Sequence, residues 1–417
     1  MRKNALLSLA MIGAVAVVAS GCAANTPSEP GNSAAPVTIT YTNFISNDGN
    51  EENLQAIIDA FQSENPDVRV EVTTLPYGDY GTALQTDIAA GTVADVFDLE
   101  YASYAQFQAN GTLAPLEISN VGDYRPAVLE AYATGGTQYA LPTSFSTVVL
   151  YYNKDLFDAA GVATPTSDWT WADTMAAAEA LTDVEAGVWG LHQPVSFYEY
   201  YKVLAHNGGS FLDASGTKVA FNTPAGIEAA KWLVNKSGSV MPTIEQGQGT
   251  PDFDTNLFKE GKLAMLYSGI WVFGAFADVP FAWDIAVEPG NTNQASALFS
   301  NAVGVSATSE HVEAATRFAQ YLTSSAIMVD KRLASGWELP AISDENKLSV
   351  YLTLDNPGNR QAVFDSLDQV ALPPVVAKGQ NEMQDILSEE LVEAQAGRKS
   401  VADALASAEQ RINAVIG

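Results

Sequence analysis

The chain has 417 residues, more than one ordinary hydrophobic core organises, so two domains are the starting expectation. Its residues are 47% hydrophobic and 17% charged, the balance of a well-folded protein and not of a disordered one. With 49 acidic against 20 basic side chains the formal net charge is −29, which repels nucleic acid and anionic lipid, so no nucleic-acid partner is expected and the excess acid reads as a solvated surface.

Arg2 and Lys3 precede an apolar run from Ala5 to Ala19 that is too short to span a bilayer, the pattern of a secretion signal over residues 1–21. The following Ala19-Ser20-Gly21-Cys22 resembles the bacterial lipobox, with Ala19 where Leu or Val is usual. That resemblance implies a diacylglycerol on Cys22, which becomes the new N-terminus; the alternative is a plain signal peptide with an incidental cysteine. Cys22 is the only cysteine, which excludes an internal disulfide and cysteine-based zinc or thiol chemistry. Residues 22–36 are small, polar and proline-bearing, a flexible tether.

Folded sequence begins at Val37-Thr38-Ile39-Thr40-Tyr41, a period-two strand. Leu54, Ile57, Ile58 and Phe61 then form one helical stripe that Pro66 ends, and Val68, Val70 and Val72 alternate with Arg69 and Glu71 as a second strand. This β-α-β opening implies a parallel sheet. Further strands are predicted over 96–99 and 148–152, and a helix after Thr170, where Thr170 and Asp173 have capping-box spacing. Thr223-Pro224 opens a helix with Ile227, Ala230 and Val234 inward; Ala315, Phe318, Ala319 and Leu322 mark another. Val401, Leu405, Ala408 and Ile412 mark the last, so the chain is α/β throughout.

Five stretches together resemble the extracellular solute-binding proteins of ABC importers, in the branch that carries maltose, maltodextrin and other sugars. They are ADVFDLEYASYAQFQANGTLAPL (94–116), YALPTSFSTVVLYYNKDLFDAAGV (139–162), FKEGKLAMLYSGIW (258–271), WDIAVEPG to SATSEHVEAATRFAQYLTSS (283–325) and SGWELPAI (335–342). The resemblance implies a periplasmic-binding-protein-like type II fold of two discontinuous α/β lobes, about 37–145 with 289–335 and about 146–288 with 336–417. It also implies a ligand cleft closing about a hinge. The expected partners are a small sugar and ABC permease subunits in the membrane. A monomer is expected, without cofactor or metal, held through Cys22 on the outer face of the cell membrane or in a periplasm.

A sugar presents hydroxyls and apolar C–H faces, so its site needs carboxylates, amides and hydroxyls beside flat aromatics. Trp271, after Gly269, is similar in position to the family's stacking tryptophan; core packing is the alternative. Trp337 is a second platform or else a hinge wedge. Glu100 and Tyr101 end a strand where an acid accepts hydroxyl protons and a tyrosine stacks or donates. Ser144 and Ser146 flank the first crossing between lobes, either as cleft residues or as turn residues satisfying backbone. Asn43 and Phe44 end the first strand, where the family often places a polar ligand residue; the alternative is a loop that leads into a helix. Gln193, Phe197 and Tyr201 lie in an aromatic run that lines the second lobe or fills its core, and Asn301 is the last candidate.

The rival enzyme is a secreted glycoside hydrolase, which needs two carboxylates across a scissile bond. His192, His206 and His311 form no HExxH or HxxxH pair, and no GxSxG elbow or GxxxxGK[ST] loop occurs. Asp252 and Asp254 read as a solvated turn, lacking a full calcium-loop pattern. Phosphorylated polyols, peptides and polyamines remain as other ligands of the same fold. None of the singled-out segments places at the cleft the Arg or Lys a phosphate wants, and Glu100 alone falls short of the several carboxylates a polyamine wants.

Overall fold

The computed structural model describes residues 35–45, 50–335, 337–376 and 378–417; the secretion signal, Cys22 and nearly all of the tether lie outside them. Strands β1 (Val37–Asn43), β2 (Val68–Thr74) and β3 (Val96–Glu100) are parallel neighbours, with β1 between the other two. The helix between β1 and β2, Glu51–Glu64, buries Leu54, Ile57, Ile58 and Phe61, the stripe its sequence period marks. Phe61 and Tyr41 each meet Phe318 of helix Val312–Ser324 edge-on, at ring-centroid distances of 5.2 and 5.4 Å. Fully burying each such ring contributes about 1.5–3 kcal/mol.

A small hairpin, β4 (Ala133–Thr134) and β5 (Thr137–Gln138), leads into β6 (Ala140–Asn153), fourteen residues that are buried throughout. The predicted strand 148–152 is therefore only the second half of a longer one. Three further strands follow: β7 (Met265–Gly269), β8 (Trp283–Ala286) and β9 (Ser296–Val305). β6 pairs antiparallel with β9 over 140–147, then with β7 over 148–152 and β8 over 150–153. β9 in turn pairs antiparallel with β3 over 301–305. Its first residues, Ser296 and Ala297, pair with β11 (Val370–Ala371), and β10 (Leu339–Pro340) adds to β6 at Phe145 and Ser144. The long strands β6 and β9 thus tie the parallel β1–β3 region to the β7–β8 region. Alternation does not reveal such a strand, because both of its faces are covered.

The second core gathers around helices Phe197–His206, Pro224–Val234, Gln380–Gln395 and Val401–Ile416. Thr170 caps helix Trp171–Leu181 in a complete capping box with Asp173. In helix Pro224–Val234 the inward face is Ala229, Ala230, Leu233 and Val234, while Ile227 is only half-buried.

Candidate ligand-binding site

A cavity of about 390 Å³ lies where β3, β6 and β9 meet β7 and the first turn of helix Phe197–His206. Local irregularities aim side chains into it. The register between β6 and β9 shifts between Pro142 and Ser144, and the extra residue, Thr143, lines the cavity, a use bulges commonly serve beside binding sites. The middle of β9, from Leu298 to Asn301, is only half-buried, and Phe299, Ser300 and Asn301 face the cavity. Strand β7 ends at Gly269, where a Cβ would stand 1.9 Å from the indole of Trp271. Glycine there lets the tryptophan fold back on its own strand end. Trp271 is half-buried, lines the cavity and meets Phe299 edge-on at 5.5 Å.

The polar groups divide into two sets. On the β3 side, Tyr41 donates to the Asp98 carboxylate at 2.6 Å and Tyr77 to Glu100 at 2.7 Å. Glu338 accepts from Ser144 at 2.5 Å and from Asn301 at 3.2 Å, and Arg332 lies 3.7 Å away. Burial pushes the Asp98 carboxyl up to about 7 and the nearby charge of Glu338 adds to the rise, against the opposing Tyr41 hydroxyl and Arg332. Burial also raises Glu100, helped by Glu338 and opposed by Tyr77. The guanidinium of Arg332 covers one face of Trp337, 4.0 Å from the ring centroid.

Across the cavity, Glu199 accepts from Gln193 at 2.7 Å and from Lys202 at 2.9 Å. Lys202 also donates to Glu288, and both are fully buried. Lys236, equally buried, donates to Gln193 at 2.7 Å and stands 4.0 Å over the Trp232 ring. Buried charge of this density persists only because each group has a partner. Among the described residues, no group of three or more His, Cys, Asp or Glu side chains is arranged to hold a metal ion.

Of the residues singled out from sequence, Trp271, Trp337, Glu100, Tyr101, Phe44 and Asn301 line the cavity. The other six are not among its lining residues. Ser144 orients Glu338. Asn43 accepts from the Ile45 amide at 3.2 Å, and its Nδ2 is buried with no partner. Ser146 is buried with its hydroxyl unpartnered. Gln193 bridges Lys236 and Glu199, and Phe197 and Tyr201 sit in the second core. Sequence reasoning missed Asp98, Tyr77, Tyr198, Glu199, Arg332 and Glu338, all of which line the cavity. Glu338 and Trp337 are adjacent in one quoted stretch, and Asp98 lies two residues before Glu100, so proximity to chosen residues was the available signal. Nothing in the local sequence pattern marks Arg332.

A cavity with aromatic walls and hydrogen-bonded carboxylates, built where long strands tie two α/β regions together, has the form of a small-molecule binding cleft. The chain belongs to the bacterial extracellular solute-binding proteins, whose family model matches residues 47–329. An ABC substrate-binding protein of Listeria monocytogenes, solved in complex with cycloalternan, is 39% identical, with a TM-score of 0.86 covering 91% of this chain and 98% of that one. A cyclic α-maltosyl-1,6-maltose binding protein of Arthrobacter globiformis is 25% identical at a TM-score of 0.72, covering 91% and 99%. The arabinooligosaccharide-binding protein of Bacillus subtilis (strain 168) is 22% identical over 396 residues, 89% of each chain. The fold is the two-lobe type II arrangement, and the chain is a substrate-binding protein of an ABC transporter, not an enzyme.

Proposed function

We propose that this protein captures a neutral oligosaccharide and delivers it to ABC permease subunits. The observation that carries the reading is the pairing, within one cavity, of Trp271, Phe299 and Tyr198 with the acceptors Glu100, Glu338 and Asp98. Aromatic faces take the C–H surfaces of sugar rings while carboxylates take hydroxyl protons. An anionic ligand is disfavoured by those carboxylates. A polyamine would find Glu199 already paired with the Lys202 cation and Glu338 beside Arg332, whereas the hydrogen bonds from Tyr41 and Tyr77 leave Asp98 and Glu100 with lone pairs for sugar hydroxyls. Relatives named for cycloalternan, cyclic α-maltosyl-1,6-maltose and arabinooligosaccharides support the same ligand class.

The ligand-contacting residues are Trp271, Trp337, Glu100, Tyr101, Phe44 and Asn301, joined by Asp98, Glu338 and Glu199. The lobes comprise about 37–145 with 289–335 and 146–288 with 336–417, a division supported by the change of β6 partners near Val148. The return passage runs through β9, whose two ends pair with different strands. The monomer is exported by residues 1–21 and tethered through residues 22–36 to a lipid on Cys22, on the outer face of the membrane or in a periplasm.

A thermal-shift panel tests the reading, because a ligand that binds only the native state raises Tm by mass action. Cycloalternan, cyclic α-maltosyl-1,6-maltose and linear maltodextrins are compared with spermidine, glycerol 3-phosphate and a peptide. A shift confined to saccharides and abolished in Trp271→Ala is expected; a shift confined to the charged compounds would overturn it.

A further inference from the structure

A chain of hydrogen bonds links five side chains, of which Glu199 alone lines the cavity. Lys236 donates to the amide oxygen of Gln193 at 2.7 Å, and Gln193 Nε2 donates to Glu199 Oε2 at 2.7 Å. Lys202 reaches both Glu199 oxygens at 2.9 Å and also donates to Glu288. Lys202, Lys236 and Glu288 are fully buried and Gln193 is 1% exposed, whereas the Glu199 side chain is 8% exposed. The chain therefore reaches the cavity through Glu199 only.

An ionised carboxylate only accepts, so the amide nitrogen of Gln193 must face Glu199. Its oxygen then faces Lys236, which donates whether it is ammonium or amine. The amide has one satisfied orientation, with a partner at each end. Burial pushes the Lys236 ammonium well below its ordinary value, with the charge of Glu199 opposing and that of Lys202 adding to the fall. A carboxylate at position 193 would hold that buried cation better than an amide does. What the amide supplies, and an ionised carboxylate cannot, is a donor to Glu199. The residue type at this position suits Glu199 at the expense of Lys236.

We infer that Gln193, anchored by Lys236, is a positioning residue for ligand binding: it fixes the orientation of the Glu199 carboxylate beside the cavity and touches no ligand itself. The inference rests on the oligosaccharide reading and deepens it, since Glu199 is the acceptor across the cavity from Asp98, Glu100 and Glu338. With Gln193 on one oxygen and Lys202 on both, the carboxylate is ordered before a sugar hydroxyl arrives, and the remaining lone pairs keep one direction.

Calorimetry of the wild type with cycloalternan, cyclic α-maltosyl-1,6-maltose and maltotetraose first establishes which probe binds. With that probe, Gln193→Glu is the principal variant. It keeps the side chain's shape and offers Lys236 an ion pair, so the fold is retained, but at about pH 8 it sets a second carboxylate against Glu199 in place of a donor. A tenfold or greater loss of affinity is expected there. Toward about pH 5 the two carboxyls share a proton, a donor is restored, and the loss relative to the wild type should shrink to under threefold. The wild type is measured at each pH because His192, Lys236 and Glu288 belong to the same cluster. Gln193→Met removes the donor without adding charge; it should lose at least threefold in the presence of Glu199 and less than twofold in a Glu199→Ala background. Affinity within twofold of the wild type in Gln193→Glu at the higher pH, or a Gln193→Met loss that is the same with and without Glu199, would reduce Gln193 to a structural partner of Lys236 and leave oligosaccharide capture intact. Failure of every probe to bind the wild type would remove the oligosaccharide reading and this inference with it.

Discussion

Glu338 shows how a carboxylate in this site is kept useful. Ser144 and Asn301 hold it by hydrogen bonds while Arg332 stands 3.7 Å off, so its orientation is fixed before any ligand arrives. Asp98 is the more pH-sensitive neighbour. An unfolded aspartate titrates near 3.9, whereas burial raises this one to about 7, so between those values the native state binds more protons than the unfolded state. Its contribution to stability is therefore present at low pH and is lost as pH rises from about 4 to about 7. Asp98→Asn keeps an acceptor for Tyr41 and removes the titration. Chemical denaturation at about pH 5 and about pH 8 should show the variant gaining on the wild type at the higher pH. A stability difference that stays constant between the two would mean that Asp98 titrates normally.

Elements place these residues, and the elements differed in how plainly the sequence announced them. The stripe Leu54, Ile57, Ile58, Phe61 and the Thr170/Asp173 capping box were legible because each is local, a period or a spacing within one helix. The extent of β6 was not, since a strand buried on both faces has no alternation to read. The side chains brought to the cavity by a bulge at Thr143 or by helix Ala326–Ser335 depend on tertiary register, which no local pattern encodes. The same limit explains Gln193, Phe197 and Tyr201. They share a segment with Tyr198 and Glu199, and the helix turn sends Phe197 and Tyr201 into the core and only Tyr198 and Glu199 to the cavity wall. Gly269 is where an element end sets the site directly. A Cβ there would overlap the Trp271 ring, so Gly269→Ala must displace the indole. Ligand affinity is expected to fall about as far as in Trp271→Ala, with Tm changed by only a few degrees; unchanged affinity would show that the ring's placement does not matter to binding.

At the scale of the molecule, β6 and β9 are the shared structural members. β9 pairs with β3 over 301–305 and at its start with β11, while β6 pairs with β9 over 140–147 and with β7 and β8 over the rest of its length. We propose that strands shared by both halves form the hinge about which the lobes would rotate, with ligand shifting the balance toward a closed form by its differential affinity for it. The net charge of −29 repels anionic solutes and surfaces, and the cavity carboxylates likewise disfavour an anionic ligand.

The most direct test is isothermal titration calorimetry of the wild-type protein with cycloalternan and with maltotetraose, run beside spermidine and glycerol 3-phosphate as charged controls. Saturable binding of at least one saccharide at one site per chain is predicted, with a negative heat-capacity change from burial of ring faces against Trp271 and no heat from either control. Binding of spermidine or glycerol 3-phosphate with both saccharides silent would contradict the account.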